Sequence, residues 1–226
     1  MSDIPPQLKD FRNFLWMTWN HLSLPAPTPI QYEIAEWMQN GPRRGVIQGF
    51  RGVGKSWICS AFVVHQLLLD PQKNILVVSA SKNRADDFST FTLRLIHEMP
   101  VLAHLMPGDK QRFSKISFDV GPAQASHAPS VKSLGITSQL TGSRADIIVE
   151  VPNNSATQSM RDKLSEQVKE FEAILKPEDN SRILFLGTPQ CEDSIYNKML
   201  ERDYEMRVWP AKKVTSDKSE KIYKGN

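Results

Sequence analysis

Gly49-Phe-Arg-Gly-Val-Gly54-Lys55-Ser56 places three glycines, a lysine and a hydroxyl within eight residues. These types at this spacing suit phosphate. Gly52 and Gly54 have no Cβ, so the backbone can curl until its N–H groups converge on an anion. A helix starting near Lys55 adds the positive end of its dipole. Lys55 then reaches the β- and γ-phosphates, and the Ser56 hydroxyl meets a Mg2+ ion. The stretch fits G-x-x-x-x-G-K-[ST] at every defined position, with a strand before it and a helix after it, the context the pattern requires. The candidate nucleotide contacts are Gly49, Arg51, Gly52, Val53, Gly54, Lys55, Ser56 and Trp57. Gln31, in Pro27-Thr-Pro-Ile-Gln31, lies eighteen residues before Gly49. Its amide carries a donor and an acceptor that match the N6 and N7 edge of adenine, which favours ATP over GTP.

Other residues could complete such a site, each with a plainer alternative. Thr188, in Leu186-Gly-Thr-Pro-Gln190, follows a buried strand. In open α/β sheets that end of a strand faces the ligand crevice; the alternative is a Thr-Pro turn. Arg51 and Arg144 are candidate transition-state cations, or ordinary surface arginines. Lys82 and Arg84, just past a strand end in Ser79-Ala-Ser-Lys-Asn-Arg84, could hold a polymer phosphate; solvation is the alternative.

The elements that must position these groups are legible in the hydrophobic pattern. Residues 8–22 place Phe11, Phe14, Leu15, Thr18 and Leu22 at helical spacing, and Pro25, Pro27 and Pro29 interrupt the chain. A second helix is predicted from about Ile30 to Met38. Gly45–Gln48 reads as a strand, Lys55–Leu69 as a helix stopped by Asp70-Pro71, and Asn74–Ser79 as the next strand. Its unbroken apolar centre suits a sheet covered on both faces, with a right-handed crossover between parallel strands. A helix follows over about Lys82–Met99, then irregular chain with a short strand at Lys115–Val120. Strands are predicted at Val131–Thr137, Ala145–Val149, Arg182–Leu186 and Glu205–Trp209, and a helix over Ala156–Leu175.

The bulk composition limits the class. The chain has 226 residues, 40% hydrophobic and 23% charged, with a net charge of +3, the balance of a soluble globular protein with one sizeable core. That charge alone does not point to nucleic acid. Two cysteines occur, Cys59 in an apolar helical pattern and Cys191, and neither forms a metal-like pair. The start has no signal-peptide pattern, and the longest apolar stretch is too short and mixed to span a membrane. From Lys212 onward the lysine-rich chain reads as a linker or frayed tail.

QGFRGVGKS, VVSASKNRAD, FDVGPA, APSVKSLGI, QLTGSRADIIV, NNSAT and FLGTPQ, in this order, resemble the ATPase segment of the large terminase subunit of tailed bacteriophages, the short-tailed podovirus type above all. The likeness covers roughly residues 8–210. It implies a RecA-like, additional-strand P-loop ATPase with a mostly parallel central sheet flanked by helices. Residues 1–40 would form an N-terminal helical segment bearing Gln31, 41–210 the ATPase core, and 211–226 a linker toward a C-terminal nuclease domain that this chain lacks. The family activity is ATP-driven translocation of double-stranded DNA into a procapsid. The implied cofactors are ATP and Mg2+. The implied partners are DNA, the portal protein, the small terminase subunit and further copies in a ring, a pentamer by the resemblance. The implied place is the host cytoplasm at the portal vertex, with no membrane. Thr188 would fall in the family's coupling motif, Gln31 would read adenine, and Arg144 would reach a neighbouring subunit as a finger, with Arg51 its competitor within the subunit.

One departure bears on hydrolysis. The family strand before Glu-Val-Pro runs into adjacent acids that hold the Mg2+ shell and position water. Here Ala145-Asp-Ile-Ile-Val149 runs directly into Glu150-Val-Pro152. An engineered deletion, a segment lost from the recorded sequence and a natural variant using Glu150 each account for this; intact flanks favour the second. Asp146 begins the strand, at the end remote from the phosphate crevice. Glu150 sits at the correct end and is the candidate catalytic and metal-binding acid. The missing acids also leave open a nucleotide-binding assembly subunit without turnover. A helicase-like remodeller is the third alternative, although 226 residues leave no room for a second RecA-like domain.

Overall fold

A computed structural model of the chain describes residues 4–79, 81–135, 138, 140, 142–151, 168–188 and 199–211. Two helices lead, α1 (Phe11–His21) and α2 (Pro29–Asn40). The P-loop unit follows: β1 (Arg44–Gly49), α3 (Lys55–Leu69) and β2 (Ile75–Ser79). Then come α4 (Lys82–Glu98), β3 (Ser117–Phe118), β4 (Val131–Gly135), β5 (Ile147–Val151), β6 (Arg182–Gly187) and β7 (Glu205–Trp209). Residues 168–174 are helical. The rest of the helix predicted over 156–175, Cys191 and the lysine-rich tail lie outside the described residues. No helix among the described residues is long and apolar enough to cross a membrane.

The strands form one seven-stranded sheet in the order β3-β4-β2-β5-β6-β1-β7, parallel except for the short antiparallel β3. β6 lies between β1 and β5, so a strand separates the P-loop strand from the strand that carries Glu150. Parallel order puts the C-terminal ends of β1, β2, β5 and β6 along one edge, where a ligand crevice forms in open α/β sheets.

Alternation divides the strand side chains between two apolar layers. Ile47, Val77, Val149 and Leu184 face the layer built from α1 to α4. Val46, Val78, Ile148 and Phe185 face the opposite layer with Phe171, Met199 and Tyr204. α3 is nearly enclosed in the first layer, buried from Ile58 to Leu68. His65 lies between Phe11 and Phe14 and its Nε2 pairs with the Leu8 carbonyl at 2.9 Å, which ties α1 to α3. Burial lowers its pKa to about 4, so it packs as a neutral ring. Cys59 is fully buried, as its apolar context predicts, and burial pushes its thiol up.

α2 is anchored at both ends. Thr28 and Gln31 form a reciprocal capping box at its start. At its end the Arg182 guanidinium donates to the carbonyls of Met38 and Gln39, acceptors that a helix terminus leaves without intrahelical partners, and to those of Trp37 and Pro42. Burial lowers the Arg182 pKa to about 10. These contacts hold Gln31 beside the loop after β1.

Candidate nucleotide-binding site

The loop after β1 has the geometry of a phosphate cradle. Gly52 and Gly54 have φ of 93° and 84°, the left-handed region that side chains disfavour. Gly54 caps α3, and no side chain caps the helix there. The first N–H groups of α3 therefore remain available to an anion. Lys55 bends back over the loop, and its Nζ donates to the carbonyls of Gly49 at 2.7 Å and Phe50 at 3.0 Å. Desolvation, with a smaller push from the Arg51 charge, lowers the Lys55 pKa to about 8. Two cations and free N–H groups thus converge where phosphate supplies the missing negative charge. Val53 is buried, whereas Arg51, Ser56 and Trp57 are exposed.

Gln31 lies against this loop, but its amide is engaged on both sides. Oε1 accepts from the Thr28 N–H at 2.8 Å, and Nε2 donates to the Val53 carbonyl at 3.0 Å. A Cβ on Gly54 would stand 3.2 Å from that Nε2. Gln31 thus braces the P-loop in this conformation.

Thr188 follows the C-terminal end of β6, one residue beyond the Gly187 that pairs with Gln48 of β1. It is half-buried beside the start of the loop. Lys82 and Arg84 are exposed in the first turn of α4, whose N-cap is Ser81. Arg144 lies at the other edge. It precedes the N-terminal end of β5, and its guanidinium donates to the Ala173 carbonyl at 3.3 Å. Its own P-loop is across the sheet. Asp146 shares that edge, accepting from Lys176 Nζ at 2.9 Å and from the Asn74 N–H at 2.7 Å.

Glu150 requires a correction. It is not a residue beyond the strand, because β5 runs on to Val151 and pairs Glu150 with Val78 and Phe185. It does lie toward the C-terminal end. However, Ile148, Val78 and Phe185 belong to the layer opposite α3, and strand alternation puts the Glu150 side chain on that face. It is fully buried, and among the described residues neither carboxyl oxygen has a hydrogen-bond partner. Burial drives its pKa well above the ordinary range. An enclosed carboxyl whose charged form burial disfavours, facing away from the P-loop helix, does not suit a Mg2+ shell.

A cleft on the α3 side of the crevice edge is absent from the sequence reading. Its cavity, about 410 Å3, is lined by Ser56, Trp57 and Ser60 of α3, Ser79 of β2, and Arg84, Asp87, Phe88 and Phe91 of α4. Trp57 is 42% exposed and meets the Phe91 ring edge-on at 5.0 Å. The recoverable signal was the i, i+3, i+4, i+7 spacing of the four α4 residues.

Among curated proteins, the chain is 53% identical over 212 residues to the terminase large subunit of Enterobacteria phage T3. Over this stretch the chain belongs to the large terminase subunit family. The match takes in 91% of this chain but 36% of that relative's length. No protein-family profile matches the chain. Among solved structures, the large terminase ATPase domain of Thermus phage P74-26 superposes with a TM-score of 0.54 at 16% identity, covering 79% of this chain and 71% of that one. The N-terminal domain of the bacteriophage phi29 DNA packaging ATPase gives 0.52 at 11% identity, over 77% and 94%. S. cerevisiae Dbp5 gives 0.56 at 14%, over 88% and 50%. At these identities the likeness concerns fold, and the fold is a RecA-like P-loop ATPase core. The terminase-family chain thus joins a P-loop to a mostly parallel sheet in which β6 separates β1 from β5.

Proposed function

We propose that this chain is the ATPase segment of a motor that moves double-stranded viral DNA into a procapsid. The observation that carries this is the uncapped start of α3, with Gly52 and Gly54 in the left-handed region and Lys55 folded back onto the Gly49 and Phe50 carbonyls, in a chain related to a terminase large subunit. ATP is the nucleotide and Mg2+ its companion. The loop N–H groups and Lys55 would hold the phosphates, and the Ser56 hydroxyl would face the metal. Thr188, beside the start of the loop, would pass the state of the phosphates to β6. Gln31 would brace the loop and meet adenine once its amide is released. Arg144, remote from its own P-loop, suits a role in the site of a neighbouring copy. A ring follows from that role, and a pentamer, the portal protein and the small subunit follow from the family. Lys82 and Arg84 would contact DNA phosphates, at the portal vertex in the host cytoplasm.

The placement of Glu150 favours a second reading for the chain as it stands, nucleotide binding without turnover. One assay separates the two. ATP binding and steady-state hydrolysis are measured with and without double-stranded DNA and procapsids. The motor reading expects hydrolysis that DNA and procapsids accelerate. Tight ATP binding with no hydrolysis under any condition supports the second, and no ATP binding sinks both.

A further inference from the structure

Three hydroxyls and one carboxylate share the cleft beside the P-loop. Ser56 and Ser60 are one turn apart on α3, Ser79 ends β2, and Asp87 reaches in from α4. Ser60 and Ser79 are buried, so their hydroxyls line the inner wall, while Asp87 is exposed at the mouth. Asp87 is one turn after Arg84 and one turn before Phe91, so the α4 face that seats Phe91 against Trp57 also carries Asp87 to the wall of the cleft that Ser56 lines. Glu150, by contrast, belongs to the opposite layer. Among the described residues lining the cleft that Ser56 opens into, Asp87 is the carboxylate.

We propose that Asp87 serves the divalent cation of the bound nucleotide, completing on α4 what Glu150 cannot supply from β5. The donor set fits Mg2+: hard oxygens, one carboxylate, and room for the waters that this ion keeps beside nucleotide phosphates. Asp87 would act on the hydration shell, with the Ser56 hydroxyl and the phosphates nearest the metal. The inference rests on the nucleotide-binding reading above.

The test is the Mg2+ enhancement of mant-ADP affinity, measured by fluorescence titration in EDTA and in Mg2+. Asp87→Asn is compared with Asp87→Glu, Glu150→Gln and the unaltered chain, each checked for folding by circular dichroism. The expected result is equal affinity in EDTA for all four. In Mg2+ the unaltered chain tightens, Asp87→Asn loses about tenfold of that gain, Asp87→Glu recovers part of it, and Glu150→Gln keeps all of it. Mn2+ bound to the ADP complex, followed by electron paramagnetic resonance, should weaken in the same order. Full enhancement in Asp87→Asn overturns the proposal, as does its loss in a folded Glu150→Gln. Absence of mant-ADP binding by the unaltered chain in both media overturns the nucleotide-binding reading itself.

Discussion

Lys55 and Glu150 are both ionisable groups withdrawn from water near the C-terminal ends of two parallel strands, β1 and β5, that β6 separates, and their surroundings treat them in opposite ways. Lys55 keeps two carbonyl acceptors and stands at the uncapped first turn of α3. Glu150 has no partner for either oxygen among the described residues and sits on the face of an apolar layer. Burial disfavours the charged form of both. Only the lysine is placed where a ligand can reverse that cost. The β1 end of the crevice edge is therefore built to receive charge, and the β5 end to exclude it.

The largest effect should come from removing the charge at the receptive end. Lys55→Ala should weaken ATP or ADP binding about 10–100-fold and abolish any hydrolysis, because a charge-assisted hydrogen bond contributes about 1.5–3 kcal/mol. Isothermal titration with each nucleotide measures it. Unchanged affinity would dissolve the contrast between the two ends.

Glu150→Leu should act in the opposite sense. Replacing an unpartnered buried carboxyl by an apolar side chain should raise the unfolding free energy by about 1–3 kcal/mol, read from urea denaturation. The pH dependence sharpens the point. The folded-state pKa of Glu150 lies above its ordinary value of 4.5, so the folded chain binds the proton more tightly than the unfolded chain. The stability tied to that proton is fully present below about 4.5 and is lost as pH rises through the raised value. That slope should vanish in Glu150→Gln. A Glu150→Leu variant less stable than the parent would mean that the carboxyl has partners after all.

The smallest effect is the titration of Lys55. In the free protein its pKa is about 8 against an ordinary 10.5, so the folded chain binds this proton less tightly than the unfolded chain. The resulting destabilisation is present below pH 8 and is relieved between about 8 and 10.5. Nucleotide phosphate favours the protonated lysine. Affinity should therefore fall as pH rises through 8, by at most about tenfold per pH unit, and Lys55→Ala should show no such fall. Titrations between pH 7 and 9.5 check this.

Much of this was written locally. The P-loop pattern, the helix from Lys55 to Leu69 and the strands at Ile75–Ser79 and Arg182–Gly187 follow from short-range patterns. Glycines with positive φ, long apolar runs and Asp-Pro stops act within a few residues, so their meaning survives without the rest of the chain. Arg144 and Asp146 at the far edge follow once the strand is parallel. The side of β5 is different. Ile147-Ile-Val-Glu150 of β5 is buried on both faces, with no alternation to say which residues look toward α3. Only the packing of the two layers set that parity, and it turned Glu150 away from the P-loop. The same holds for Asp87, an ordinary acid on an amphipathic helix until α4 packed beside α3. Gln31 became a brace for the same reason: its partner, Val53, is 22 residues away. The sequence by itself thus determined that a phosphate cradle exists and on which strand–helix junction it stands. The tertiary structure decided which acid faces it, because a side chain's neighbours across a layer depend on packing between elements far apart in the chain.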